Sequence, residues 1–494
     1  MKLFYFLFAL FFIYSVSKAG DKPAKNAKPG YTIKVKLTGI HDTLAYLGNH
    51  FGDKQYVTDT ARVDSKGNVT FSGSKTLDGG IYLIITHQKK YFEILLDGKE
   101  DNFSIETDTI DFVGNLKVKG STENQYFNDY QKFLTAKAKE SEPIRKLFEK
   151  AKTDKKDTKE FQDKLTAIDK EVKDYKVNFM SAHPESFLSK IIRATQPPEI
   201  PEIPTLPSGR KDSTFSYRYY KAHFWDNIDF NDARLLRTPI LQGKLKEYFE
   251  QMTYQIPDSI IIECDKLIEK SRKNKEMFKY LVVYFTSNYE RSNIMGMDAV
   301  FVHLGKKYYT YDQAYWVDST TVFKIQDRAK RTEPLLVGKK TPWFACQDTA
   351  GQWIDIYRSV NAEYTVLIFW DPDCGHCKKA MPSVIEAYDK LKQYNVQFVG
   401  VCTEVEKDKW LKYIREQKLK WINVADPDIK SNFRYDYYIE STPQVYVLDK
   451  NKKIIAKKLA AEQLYDFFSR NLKVAPIIED SNKDKDKKTE KATH

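Results

Sequence analysis

Cysteine is scarce in this chain: five residues among 494, at positions 264, 346, 374, 377 and 402. So sparse a set excludes a disulfide-stapled scaffold. With Cys374 and Cys377 set aside as a close pair, three remain, so at least one thiol is free or pairs outside the chain. Cys402, just past an apolar strand, reads as a small buried filler. Histidine is also thin, with eight residues scattered along the sequence. No second Cys-x-x-Cys and no His-x-x-x-His completes a tetrahedral zinc site. Phosphate-binding glycine patterns are missing too. Gly338-Lys339-Lys340-Thr341 lacks the leading glycine of a P-loop, and no dinucleotide fingerprint occurs. No apolar run beyond the N-terminus approaches membrane length. The excess of 80 basic over 68 acidic residues, a net charge of +12, is dispersed rather than clustered. Without arginines interleaved with aromatics it reads as a lysine-rich solvated surface, with no nucleic-acid partner. Internal repeats are absent.

What is present suffices for a large folded protein. At 41% hydrophobic and 14% aromatic, the chain can build two or three cores. Met1 and Lys2 precede a mostly Phe, Leu and Ile run from Leu3 to Val16, then Ser17-Lys18-Ala19. This pattern predicts a signal peptide over residues 1–19, cleaved after Ala19. The run is short for a transmembrane helix, so the mature chain is expected to be exported, most simply to a periplasm, without stable membrane insertion. An uncleaved leader acting as an anchor is the alternative. The tail, residues 479–494, carries five acids and five lysines and is expected to be disordered.

Between these ends the pattern changes twice, which predicts a multidomain chain. Residues 29–120 read as an N-terminal all-β, sandwich-like domain. Thr32 to Leu37 alternates, Asp64 to Asn68 marks a hairpin turn, and Ile81 to Ile85 and Phe92 to Leu96 continue as strands. Residues 121–330 read as an α-helical middle domain. Phe161, Leu165, Ile168, Val172, Tyr175 and Phe179 fall on one helical face. A proline-rich stretch from Pro197 to Pro207 reads as a stiff connector. Aromatic clusters at Tyr217 to Trp225 and Tyr308 to Trp316 are either core packing or a recognition surface for peptides or glycans.

The region that carries chemistry is 334–474. Thr365 to Trp370 reads as a buried strand, and Cys374-Gly375-His376-Cys377 opens a helix ending near Leu391. The free N–H groups and positive dipole end of a helix start favour a thiolate at its first turn. That makes Cys374 the nucleophile, and the two-residue spacer lets Cys377 reach back to resolve a mixed disulfide. Pro382 stands inside the helix and kinks it. Val396 to Val401 reads as a strand, Lys407 to Gln417 as an amphipathic helix, Gln444 to Leu448 and Ile454 to Lys458 as a hairpin, and Glu462 to Asn471 as a last helix, in the order βαβαββα.

On Trp370, the CGHC motif, Pro382 and Ser441-Thr442-Pro443, residues 334–474 resemble a thioredoxin-fold domain of the TlpA/ResA-like periplasmic group. The two preceding regions resemble, by placement and pattern, those of multidomain Bacteroidetes thioredoxin-like proteins. The resemblance implies a C-terminal α/β thioredoxin fold, a redox-active Cys374–Cys377 disulfide, a cis Pro443 against the sulfurs, and substrate binding by Trp370, Thr442 and Pro443. Three departures stand out. The CGHC dipeptide is that of protein disulfide isomerase domains, and His376 is expected to make the couple more oxidising than a proline would. Ile368 occupies the place of thioredoxin's buried aspartate. Glu404 matches the glutamate that serves as proton acceptor in TlpA/ResA-like proteins, or else it is a solvated helix-cap residue. Peroxiredoxins share the fold, but their Pro-x-x-x-Thr/Ser-x-x-Cys loop is absent upstream of Cys374.

The function expected is an exported thiol–disulfide oxidoreductase that reduces, oxidises or isomerises protein disulfides. Its catalytic set is Cys374, Cys377, His376 and Glu404. It requires no metal or organic cofactor, takes protein thiols or disulfides as substrates, and is reset by a membrane or periplasmic redox partner. The competing reading is a partner-binding or assembly protein of the cell envelope in which the redox site is secondary.

Overall fold

The structure, a computed structural model, describes residues 30–100 and 102–471. The expected signal peptide and charged tail lie outside the described residues. One compact unit takes in the described residues up to Thr253 together with Leu267–Phe278; the other takes in Tyr254–Lys266 and the described residues from Lys279 onward.

The first unit begins with strands β1 (Tyr31–Thr38), β2 (Thr43–Phe51), β3 (Lys54–Val63), β4 (Asn68–Gly73), β5 (Gly80–Thr86), β6 (Tyr91–Leu96), β7 (Asn102–Asp108) and β8 (Lys117–Lys119). They form two four-stranded sheets, ordered β4-β1-β7-β8 and β3-β2-β5-β6. Alternation in β1 turns Tyr31, Ile33, Val35 and Leu37 inward, onto a core with Val69, Phe71, Tyr82, Ile84 and Ile94. The Asp64 carboxylate closes the β3–β4 turn by accepting the Lys66 and Asn68 amides, both at 2.8 Å. The all-β expectation therefore holds. The β2–β3 hairpin was not legible because the first four residues of β3 are exposed and blur the alternation.

Helices follow: α1 (Thr122–Thr153), α2 (Lys159–Ala182), α3 (Phe187–Thr195), α4 (Phe215–His223), α5 (Pro239–Glu247), α6 (Pro257–Lys270), α7 (Lys275–Glu290), α8 (Asp298–Tyr308) and α9 (Ser319–Thr332). The apolar stripe lies on α2, where Ile168 and Val172 are buried and Tyr175 stacks on Phe133 of α1 with ring centroids 4.1 Å apart. Of the aromatic clusters, Phe224, Trp225, Tyr308 and Tyr309 are buried while Tyr217, Tyr311 and Tyr315 are exposed. Core packing thus takes only part of each.

The C-terminal region contributes β9 (Ala345–Asp348), β10 (Trp353–Asp355), α10 (Ile356–Ser359), β11 (Tyr364–Trp370), α11 (Gly375–Leu391), β12 (Val396–Cys402), α12 (Lys407–Gln417), β13 (Ile422–Ala425), α13 (Phe433–Asp436), β14 (Gln444–Asp449), β15 (Ile454–Lys457) and α14 (Gln463–Asn471). Seven strands form one sheet in the order β10-β9-β13-β12-β11-β14-β15. Central β11 runs parallel to β12 and antiparallel to β14. With both faces covered it is a continuous apolar run. Val366, Ile368 and Trp370 face a core shared with α11, α12 and α14, while Leu367 and Phe369 face Phe344, Phe433 and Tyr437. The expected βαβαββα order is thus extended by β9, β10 and α10 in front and by β13 and α13 before the hairpin. The added elements are three or four residues long, too short to carry a periodic signal.

Candidate active site

Strand β11 ends at Trp370, and the chain turns through Asp371, Pro372 and Asp373 into α11. The turn is fixed locally: the Asp371 carboxylate accepts the Asp373 amide at 2.8 Å, and its carbonyl accepts the Cys374 amide at 3.3 Å. Cys374 is the N-cap of α11, with extended backbone angles. Cys377 lies in the first turn and is turned inward at 1% exposure, on the same stripe as Met381, Val384, Ala387 and Leu391. Cys374 remains partly exposed.

The register Phe369↔Gln444 between β11 and β14 brings the Ser441-Thr442-Pro443 loop beside the end of β11. The Thr442–Pro443 peptide is cis, and the Cys374 Sγ donates to the Thr442 carbonyl at 3.2 Å. Partial desolvation works against ionisation of Cys374. The Thr442 side chain, the Cys377 amide and thiol, and the His376 amide outweigh it, so the thiol sits below its ordinary range. These amides are orphan donors of the helix start, the reason a thiolate is stable there. Burial acts the other way on Cys377, pushing its thiol up to about 11, with Cys374 adding to the rise. The pair is therefore asymmetric: an accessible sulfur prone to ionise and a buried one that stays protonated.

The remaining sequence-predicted residues fall as follows. The His376 side chain is exposed, and what it gives the sulfur is its backbone N–H. The Trp370 indole is buried at 1% exposure, 5.0 Å from the Tyr413 ring, and braces the site from the core. Gly400 of β12 lies directly against that indole, where an added Cβ would come within 3.0 Å of its Nε1. Ile368 is buried, so no carboxylate occupies that place. Glu404 lies just past β12. Its carboxylate accepts the Val405 and Glu406 amides at 2.7 and 3.0 Å. The Glu406 amide above all, then the Val405 amide and Lys409, hold it below the usual carboxylate range against partial desolvation.

Apart from Glu404, several groups around the thiols were not singled out from sequence. Asp371, Asp373 and Glu404 have carboxylate oxygens within 4.8 Å of one another. Lys409 of α12 sits among them, its Nζ 3.4 Å from Asp373 and 3.6 Å from Glu404. The Thr403 hydroxyl donates to Asp371 at 3.2 Å. A cleft of about 230 Å³ opens beside Thr442, lined by Thr403, Arg434, Ile439, Glu440 and Ser441. The Arg434 guanidinium donates to the Thr403 carbonyl at 2.9 Å and lies 3.5 Å from Asp426. Thr403 stands just past a parallel strand's C-terminal end, a position that marks ligand crevices in open α/β sheets. Arg434 left no such signal.

Residues 337–457 match the AhpC/TSA family. Residues 170–332 and 31–127 match two domains of unknown function, DUF5106 and DUF4369. The thiol–disulfide oxidoreductase ResA of Bacillus cereus is 25% identical over 131 residues, 26% of this chain and 73% of that protein. Among solved structures, a domain of a possible thiol-disulfide isomerase from Cytophaga hutchinsonii is 41% identical, covering 28% of this chain and 95% of that one, with a TM-score of 0.27. A thioredoxin-like protein from Bacteroides caccae is 17% identical, covering 55% of this chain and 99% of that one, with a TM-score of 0.44.

Proposed function

From the premise that this chain carries a thioredoxin-like domain of the thiol–disulfide oxidoreductases, we propose that it is exported and exchanges disulfides with protein substrates through Cys374 and Cys377. The observation that carries the proposal is the asymmetric pair: Cys374 partly exposed at the start of α11, its thiol held below the ordinary range, and Cys377 buried and protonated behind it. In the reducing direction the Cys374 thiolate attacks one sulfur of a substrate disulfide. The substrate S–S bond breaks, a mixed disulfide forms, and one substrate sulfur leaves as thiolate. Cys377 then gives up its proton and attacks the Cys374 sulfur. The second substrate sulfur departs, and the domain keeps a Cys374–Cys377 disulfide while the substrate gains two electrons, one proton from Cys377 and one from solvent. A departing thiolate is a stronger base than a carboxylate, so it is the natural acceptor for the Cys377 proton. Glu404, whose Oε1 accepts two backbone amides and whose Oε2 faces Lys409, serves to shape the start of α12. Thr442 and Pro443 present the edge along which the substrate chain lies.

The test is reduction of insulin disulfides by the full chain with dithiothreitol supplied to return the Cys374–Cys377 disulfide to the dithiol. Cys374→Ser is expected to abolish turnover, by about 100-fold or more because the nucleophile is gone, and Glu404→Gln to leave the rate within about twofold since it breaks no proton path. Turnover by the serine variant at the wild-type rate would end the proposal.

A further inference from the structure

Helices α8 and α9 precede residue 337 and so lie outside the thioredoxin-like match, yet they belong to the same compact unit as that domain. Two sets of contacts hold them on it. At the β15 edge, the Lys457 ammonium, almost wholly buried, pairs with Asp298 at the start of α8 and donates to the Leu335 carbonyl at 2.7 Å. At the other place, Arg331 in the last turn of α9 has its guanidinium carbon 4.4 Å from the Tyr435 ring centroid and 4.3 Å from that of Tyr438. Cation–π attraction to two rings at once makes this a clamp rather than a passing surface contact. Arg331 is also held from behind, with Asp327 one turn earlier at 3.6 Å. What it grips leads straight to the substrate edge. The Tyr438 hydroxyl donates to Glu440 at 2.6 Å, and the Ile439 amide bonds to the Arg434 carbonyl at 3.0 Å. Glu440 and Ile439 are walls of the cleft beside Thr442 and the Cys374 sulfur.

We propose that α8 and α9 set the wall of the substrate cleft, with Arg331 as a positioning residue that fixes segment 435–442 for an incoming protein disulfide. The inference rests on the exchange reaction proposed above and assigns part of that reaction's substrate recognition to helices outside the thioredoxin-like domain. Arg331 touches neither sulfur, so it acts on how a protein chain is received and not on the thiol chemistry.

Its test compares a protein disulfide, insulin, with a small aromatic disulfide, dithionitrobenzoate, and measures hydrogen–deuterium exchange over 435–442. In Arg331→Ala the KM for insulin is expected to rise about fivefold to tenfold at nearly constant kcat, as befits lost ground-state binding. Turnover of the small disulfide and the ultraviolet titration of the Cys374 thiolate stay as in the wild type, and exchange over 435–442 quickens. Arg331→Lys recovers most of the insulin KM by keeping a cation over the rings. Tyr435→Leu, at an exposed position, repeats the effect from the other partner should the alanine variant fold poorly. Unchanged insulin KM and unchanged exchange in both variants would overturn the inference, as would an equal loss on both substrates with a shifted thiolate titration. Wild-type protein that leaves insulin oxidised would instead sink the parent reaction, with the exchange measurement still deciding whether Arg331 holds the loop.

Discussion

At the scale of single residues, the chemistry turns on how two thiols three positions apart are made unlike. Thr442 and the nearby Cys377 and His376 amides of the helix start hold the Cys374 thiol low against partial desolvation; Cys377 is desolvated and sits near 11. The sign of the pH response follows. The reactive form of Cys374 is the thiolate, so its alkylation by iodoacetamide should be lost only as pH falls through a value below that of ordinary cysteine. Cys377 should stay unreactive at neutral pH; alkylation of both thiols at the same rate at pH 7 would contradict the asymmetry. His376→Pro removes one of the amide donors. The expected result is a Cys374 thiol that ionises at higher pH and, because the reduced state loses thiolate stabilisation, a more negative couple. The shift should be no more than the roughly 90 mV separating isomerase-type from thioredoxin-type couples, read by equilibration with a glutathione buffer. Cys374 and Cys377 were legible in sequence because their chemistry is local: a strand, a turn and a helix start in unbroken succession. Thr403, Lys409 and Arg434 were not, since each reaches the site through a neighbour distant in the chain.

Secondary-structure elements carry the site on two supports. Helix α12 lies beneath the thiols through Trp410, which has no exposed surface and shares a core with Trp370 and Cys377. Trp410→Ala should cost about 3–5 kcal/mol, the range for deleting a large buried ring, in chemical denaturation of the C-terminal region. The second support is the turn after β13. Asp426, with no exposed surface, accepts the Lys430 and Ser431 amides at 2.9 and 2.8 Å and faces Arg434 at 3.5 Å. Asp426→Ala strands two amides and weakens the hold on a cleft residue, at an expected cost of about 2–4 kcal/mol. Denaturation midpoints check this, and an effect confined to catalysis would contradict it. The long apolar run of β11 and the amphipathic α11 and α12 were plain from their periodicity. Strand β13 and helix α13 were not, because four residues complete neither repeat, and only pairing to β12 makes Ile422–Ala425 a strand.

For the whole molecule, the division into two compact units predicts unfolding that is not two-state. Calorimetry should give an enthalpy larger than the van't Hoff value, and Trp410→Ala should displace only one component. A single coincident transition with equal enthalpies would oppose it. The order of regions, with β strands first, helices in the middle and an α/β region last, was set by hydrophobic period, which is a property of the sequence alone. So were the position of the thiol pair and the proline that faces it. Only the folded chain decided which atoms surround the sulfur. The Trp370↔Cys402 and Phe369↔Gln444 registers bring Thr403 and Thr442 to the end of β11, and the Arg331 clamp spans about a hundred residues to Tyr435 and Tyr438. Such contacts join segments whose local patterns carry no trace of one another, so they exist only once packing and strand pairing have chosen a single arrangement.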